Sequence, residues 1–250
     1  MNIVVSSSSE ELGKAAADQG LQSIRQAISL KGEATVILAT GTSQYTMLGE
    51  LALDHDVVWN KVRVFHLDEY IGIPEDHPAS FRRYLKERFI DKVGTLLDFV
   101  AVRGDAEEGE AAECARLASL IEEHPVDVAF VGIGENGHLA FNDPPADFDT
   151  EAPYIVALLD KDCRMQQVGE GWFPSLDQVP ARAISMSIRQ IMKSKRIIVS
   201  VPDIRKARAV KCSVEDEISP LCPASILRTH IDCCLFLDRG SASLLSDPEL

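Results

Sequence analysis

Seven short apolar runs rich in β-branched residues, at 35–39, 62–67, 98–102, 126–132, 184–186, 196–201 and 233–237, are separated by stretches of helical composition. Runs this short and this uniformly apolar suit strands buried on both faces. Between them, 10–30 places Leu12, Ala16, Leu21, Ile24 and Ile28 at three-to-four-residue spacing, as one buried helix face requires. Further helices are expected over 44–53, 80–89, 107–123 and 204–213. Strand and helix in alternation predict an α/β fold: a single-domain open, mostly parallel twisted sheet of about seven strands, Rossmann-like, with helices on both faces. The 250 residues contain no internal repeat, low-complexity tract or Gly/Ser linker, so one domain over 1–250 is expected.

Charge and cysteine content narrow the functions. A net charge of -14 without a long basic cluster argues against nucleic-acid and anionic-membrane partners, which need a positive surface. No apolar run approaches the ~18 residues of a membrane span, and the N-terminus lacks the basic-then-apolar pattern of a secretory signal. The six cysteines form no C-x-x-C pair, and Cys233 and Cys234 sit in an apolar run as small hydrophobes. A reduced, cytoplasmic setting is expected.

Ligands of open parallel sheets bind beyond the carboxyl ends of the strands, and three polar clusters fall there. Thr40-Gly41-Thr42-Ser43 precedes a helix, so Gly41, Thr42 and Ser43 would offer backbone N–H donors and the positive end of a helix dipole to a phosphate; an ordinary helix cap is the alternative. His66-Leu67-Asp68-Glu69-Tyr70 ends a strand, with His66 and Asp68 on one side and Glu69 on the other. A desolvated carboxylate there is a candidate base, although helix capping or a solvated turn also explains an acidic strand end. Gly132-Ile-Gly-Glu-Asn-Gly137 fits G-x-G-x-x-G, but Pro144 and Pro145 follow closely and no acid-ended strand lies about twenty residues on, which argues against a dinucleotide site. As a tight loop it would present Asn136, His138 and Asp143, an imidazole suited to proton transfer with an acid to orient it. A His/Asp metal site lacks a third ligand at suitable spacing, and no G-x-S-x-G elbow supports a serine hydrolase. No metal and no cofactor are expected.

Together, Leu67-Asp-Glu-Tyr-Ile-Gly-Ile73, His77-Pro-Ala-Ser-Phe81, Gly132 through Pro144, Phe173 through Ile184 and Asp238 through Leu244 resemble the glucosamine-6-phosphate deaminase/isomerase family. The resemblance implies aldose–ketose isomerisation with deamination of a small phosphosugar, glucosamine 6-phosphate and water going to fructose 6-phosphate and ammonia. It implies Asp68 as the base moving a proton between C2 and C1. His138, supported by Asn136 and Asp143, would open the sugar ring. Lys206 and the Gly41, Thr42, Ser43 loop would hold the phosphate.

Four positions depart from the family pattern: Asn136 replaces a frequent Asp, Asp143 replaces Glu, the phosphate loop is Thr-Gly-Thr-Ser, and Gly171 stands where many members carry a phosphate-binding arginine. Gly171 and His66 leave another amino-sugar phosphate, such as galactosamine 6-phosphate, open. Rival functions are a 6-phosphogluconolactonase, whose similar loop normally continues differently from Ala140-Phe-Asn-Asp-Pro144, and a non-catalytic sugar-phosphate binder. A sugar-phosphate-sensing regulator would need a DNA-reading segment, which is not seen ahead of residue 35. Residues 145–180 are expected as a lid or a mixed helical segment. Nothing in the sequence decides between a monomer and a homo-oligomer.

Overall fold

The computed structural model describes residues 1–247. In chain order the elements are β1 (Asn2–Ser6), α1 (Ser9–Lys31), β2 (Ala34–Leu38), α2 (Tyr45–Leu53), β3 (Val62–His66), β4 (Asp68–Tyr70), α3 (Phe81–Leu85) and, after a π-helical turn, α4 (Asp91–Val93). There follow β5 (Asp98–Val100), α5 (Glu110–Glu123), β6 (Val128–Val131), β7 (Tyr154–Leu158), α6 (Lys161–Gly169), β8 (Arg182–Met186), α7 (Ile188–Met192), β9 (Arg196–Val201), α8 (Ala207–Glu215) and β10 (Cys233–Asp238).

Seven strands form a parallel sheet in the order β1-β10-β9-β6-β2-β3-β5. Alternation along the strands splits the apolar residues between two cores. Val36, Leu38, Val64, Phe130 and Phe236 pack under α1 and α2, while Ile37, Phe65, Val131, Val199 and Leu235 pack on the opposite face with α5 and α8. Helix α1 begins where the Ser8 side chain accepts from Glu11 N and ends at Gly32, whose φ of 87° returns an N–H to Ile28 O. Its face of Leu12, Ala16, Leu21 and Ile24 is the expected one. Among the described residues no helix is long and apolar enough to cross a membrane.

Two strands are placed differently from the sequence expectation. The apolar run 184–186 does not join the main sheet; it belongs to β8, the middle strand of a separate antiparallel sheet, β4-β8-β7. The seventh place goes to the N-terminal run, as β1, beside β10. Both runs have strand composition, and composition does not say which partner a strand pairs with. The turn after β3 is sharp: Asp68 already pairs antiparallel with Ser185, and Met186 N donates to Leu67 O at 2.9 Å.

Cys233 and Cys234 are buried and free in β10, as small hydrophobes. Cys212 and Cys222, which sequence spacing did not single out, are bonded to one another across a Cα–Cα distance of 6.4 Å.

Candidate active site

The chain runs from β2 to β3 and β5 on one side of the sheet, and from β6 to β9 and β10 on the other, so the direction of winding reverses between β2 and β6. A crevice at the carboxyl ends of the strands is expected at such a reversal. One lies there, holding about 540 Å³ of empty space partly open to solvent, and it is lined by Gly41, Thr42, Ser43, Asp68, His138 and Lys206. The expected residues therefore meet, delivered by the ends of β2, β3, β6 and β9.

At the end of β2, Gly41 takes φ 96°, and Thr42–Gln44 form a 3-10 turn leading into α2. Gln44 fastens this turn to the neighbouring strand: its Nε2 donates to Ser43 Oγ at 3.0 Å and to Ser200 O at 3.2 Å. Tyr84 Oη donates to Gly41 O at 2.8 Å from the other side.

Lys206 ends a 3-10 turn, Ile204–Lys206, and stands at the N-terminus of α8. Its side chain is 5 % exposed, and no ion pair forms on its ammonium among the described residues. Burial lowers its pKa. A cation without a counter-ion at the positive end of a helix is unfavourably placed until an anion arrives. The turn depends on Asp203, a non-glycine residue at φ 85°, whose carboxylate accepts from Arg205 N at 2.9 Å while its own N–H donates to Asp238 Oδ2 at 2.9 Å.

Asp68 and Glu69 divide as strand alternation requires. Glu69 turns away into the protein, where its carboxylate accepts from Tyr70 N, Ser80 Oγ, Phe81 N, Arg82 N and Arg82 Nε. It is structural, tying β4 to the first turn of α3. Asp68 points into the cavity, 5 % exposed, with no hydrogen bond or ion pair on its carboxylate among the described residues. Burial, with the Glu69 charge adding, raises its pKa to about 8. His66, by contrast, does not line the cavity: its ring packs near Phe99 in the protein interior, and burial lowers its pKa to about 3.

The 132–138 loop opens no helix at its third glycine; Gly134 N donates to His138 O at 3.0 Å and Gly137 N to Gly134 O at 3.0 Å, closing a tight turn. A Cβ on Gly134 would meet the His138 ring at 2.3 Å, so glycine is what admits the imidazole. His138 Nδ1 lies 2.9 Å from Asp143 Oδ1, leaving Nε2 as the nitrogen available to a ligand. Asp143, a methylene shorter than Glu, is thus long enough to reach the imidazole. Burial opposes its ionisation, but hydrogen bonds from His138, Asn136 and Asp160 N outweigh that and hold its pKa below the usual range. Asn136 and Asp143 stand behind the imidazole. The Asn136 carbonyl oxygen accepts from His138 N at 3.1 Å; its Nδ2 donates to Asp143 at 3.0 Å and reaches Asp160 Oδ2 at 3.4 Å. The amide therefore separates two carboxylates, a place where an Asp would make a third.

Asp68 and the His138 loop share a support. Ser185 of β8 pairs with Asp68 through the backbone, and its Oγ accepts from Phe141 N at 3.0 Å. Asn142 Nδ2 donates to Met186 O at 2.9 Å and Leu139 O at 2.7 Å. A continuous hydrogen-bonded scaffold thereby joins both acid–base groups.

Several lining residues have no signal in the sequence. Gln166 and Gln167 of α6, and Glu170 just beyond it, face the cavity. Gln166 accepts from Glu135 N at 3.1 Å and donates to Glu170 at 2.8 Å, and Trp172 Nε1 holds the other Glu170 oxygen at 3.1 Å. At Gly171 itself φ is 82° and the space is open. This segment thus offers the cavity a carboxylate rather than a guanidinium, and Lys206 is the one lysine or arginine among the described lining residues.

A family model described as glucosamine-6-phosphate isomerases/6-phosphogluconolactonase matches residues 7–235. Over 231 residues the chain is 35% identical to a glucosamine-6-phosphate deaminase of Listeria innocua, covering 92% of this chain and 96% of that one. An Oenococcus oeni glucosamine-6-phosphate deaminase is also 35% identical over 231 residues, 92% and 94% of the two chains. Among solved structures, a monomeric glucosamine-6-phosphate deaminase superposes with a TM-score of 0.89 at 32% identity, over 98% of this chain and 100% of that one. A 6-phosphogluconolactonase from Trypanosoma brucei superposes at 0.77 with 19% identity, a likeness of fold alone.

Proposed function

Since this chain belongs to the family of glucosamine-6-phosphate isomerases and 6-phosphogluconolactonases, we propose that it is a glucosamine-6-phosphate deaminase, converting glucosamine 6-phosphate and water to fructose 6-phosphate and ammonia. The observation that carries this reading is the meeting of an unpaired, buried Asp68 and an Asp143-supported His138 in one cavity that also holds Lys206 and the 41–43 turn. A lactone hydrolase has no use for a carbon base; an aldose–ketose isomerisation needs one.

The substrate phosphate is held by the Lys206 ammonium and by the N–H and hydroxyl groups of the 41–43 turn. His138 Nε2 takes the proton of the C1 hydroxyl and delivers it to the ring oxygen, opening the pyranose. Asp68 then takes the C2 proton, forming an enediol-type intermediate with nitrogen on C2, and returns the proton to C1. The resulting C2 imine adds water and expels ammonia, leaving the ketose. Ring opening and enolisation are separate proton transfers, and each has its own acid–base group.

The reading is tested with a panel of glucosamine 6-phosphate, galactosamine 6-phosphate and 6-phosphogluconolactone. Equal amounts of ammonia and fructose 6-phosphate are expected from the first. Lactone hydrolysis without ammonia release from any amino sugar would overturn the assignment.

Within the same reading, a lid lies inside residues 145–180, at α6, while β7 of that stretch stays paired with β8 in the antiparallel sheet. Helix α6 carries Gln166 and Gln167 over the cavity and is tethered to the 132–143 loop by Glu135 N to Gln166 and by Asp160 N to Asp143 Oδ2 at 3.0 Å. Opening would break these bonds and expose Cys163 and Gln167, which α6 buries. Proteolysis within 145–180 is expected to slow when fructose 6-phosphate is present; an unchanged cleavage rate there, at saturating sugar, would argue for a fixed segment.

A further inference from the structure

The first helical turn of α6 brings Cys163 beside the His138–Asp143 pair. An imidazole nitrogen of His138, a carboxylate oxygen of Asp143 and Cys163 Sγ all lie within 4.8 Å of one another. The sequence left a His/Asp metal site one ligand short, and the fold supplies that ligand from a helix the sequence did not connect with the loop. We propose that these three side chains form an inhibitory site for a thiophilic divalent cation such as Zn²⁺, which binds in place of the hydrogen bond between His138 and Asp143.

Ligand type and spacing support it. Nitrogen, sulfur and carboxylate oxygen together are a zinc donor set, whereas Mg²⁺ and Ca²⁺ prefer oxygen alone. Tetrahedral zinc bonds of about 2.0–2.3 Å separate ligand atoms by roughly 3.3–3.8 Å, so the three donors need only small side-chain rotations. Asp160 adds a second negative charge: its Oδ1 accepts from Cys163 N at 2.6 Å and its Oδ2 lies 3.4 Å from Asn136 Nδ2.

The balance is simple. The thiol loses one proton to solvent as the sulfur–metal bond forms. The Nδ1 proton of the neutral imidazole moves to Nε2 as nitrogen enters the coordination shell, and the bond to Asp143 breaks. His138 is then left without a basic nitrogen to exchange protons with a sugar. The metal plays no part in turnover.

The test uses the full chain with Co²⁺ as an optical probe and Zn²⁺ as the inhibitor, beside Cys163→Ser and Cys163→Ala. One equivalent of Co²⁺ is expected to give a thiolate-to-cobalt charge-transfer band that Zn²⁺ removes and that both variants lack. Zn²⁺ is expected to inhibit the wild-type chain reversibly, and chelation to restore it. Removing a group that merely hydrogen-bonds a metal ligand already costs metal affinity about 10–100-fold, so loss of the sulfur ligand should raise the half-inhibiting Zn²⁺ concentration at least tenfold. Turnover without metal should stay within about twofold of wild type, since Cys163 touches no substrate in the mechanism above. Absence of the band in the wild-type chain, its persistence in both variants, or unchanged Zn²⁺ inhibition in them would overturn the proposal. The cobalt spectrum needs no turnover, so it can fail while the deaminase reading stands, and the reverse.

Discussion

Asp68→Asn is expected to lower kcat by roughly 10²–10⁴-fold, the usual contribution of a positioned general base, while leaving phosphosugar binding within a few-fold of wild type. The amide has nearly the shape of the carboxyl group and cannot take the C2 proton. No hydrogen bond or ion pair is lost, because the Asp68 carboxylate has none among the described residues. Isothermal titration with fructose 6-phosphate beside an ammonia assay separates the two quantities; full activity in the variant would remove Asp68 from the mechanism.

The same residue sets the pH behaviour. With its pKa raised to about 8 by burial and by Glu69, the base is largely protonated at neutral pH in the free enzyme. The wild-type kcat/KM is therefore expected to climb as pH rises toward about 8. Stability runs the other way. Between the unfolded pKa of ~3.9 and the folded value of about 8, the folded chain holds a proton that the unfolded chain has released, so this group lowers stability progressively with rising pH. Asp68→Asn abolishes that slope, and its melting temperature should gain on wild type across this window. Equal pH dependence in the two proteins would show that Asp68 is not desolvated.

Replacing His138 by Gln should also cost roughly 10²–10⁴-fold in kcat/KM for glucosamine 6-phosphate. The two losses differ in kind, and one measurement tells them apart. Fructose 6-phosphate opens its ring unaided in water, so an enzyme that lacks only the ring-opening group can still exchange the C1 proton through Asp68. In deuterated water, the His138→Gln protein is expected to incorporate deuterium at C1 of fructose 6-phosphate, and the Asp68→Asn protein is not. Equal loss of exchange in both would merge the two roles and overturn the division of labour proposed here. Gln is chosen because it keeps a hydrogen-bonding group facing Asp143, limiting the damage to the Asn136–Asp143–Asp160 arrangement.

Much of this site could be read from local pattern. Asp68 and Glu69 were expected on opposite sides of a strand, and the fold puts one in the cavity and the other under α3. Gly41, Thr42 and Ser43 fall at the start of a helical turn, and Pro144 and Pro145 follow the 132–138 loop where a nucleotide-binding helix would otherwise run. Each of these follows from a short stretch of chain, because strand alternation, helix capping and proline geometry act over a few residues.

Local pattern could not identify Asp160, Cys163, Gln166 or Glu170 as neighbours of the site, since nothing within α6 distinguishes it from any other polar helix. Nor could it say that the run at 184–186 leaves the main sheet and serves as the support of both acid–base groups. By itself the sequence determined the kinds of elements present, the strand ends at which chemistry would sit and the family to which they are similar. Only the tertiary structure decided which strand pairs with which, and therefore that Asp68 and His138 share one scaffold. Pairing energy comes from contacts between residues far apart in the chain, and any one strand carries no record of its partner.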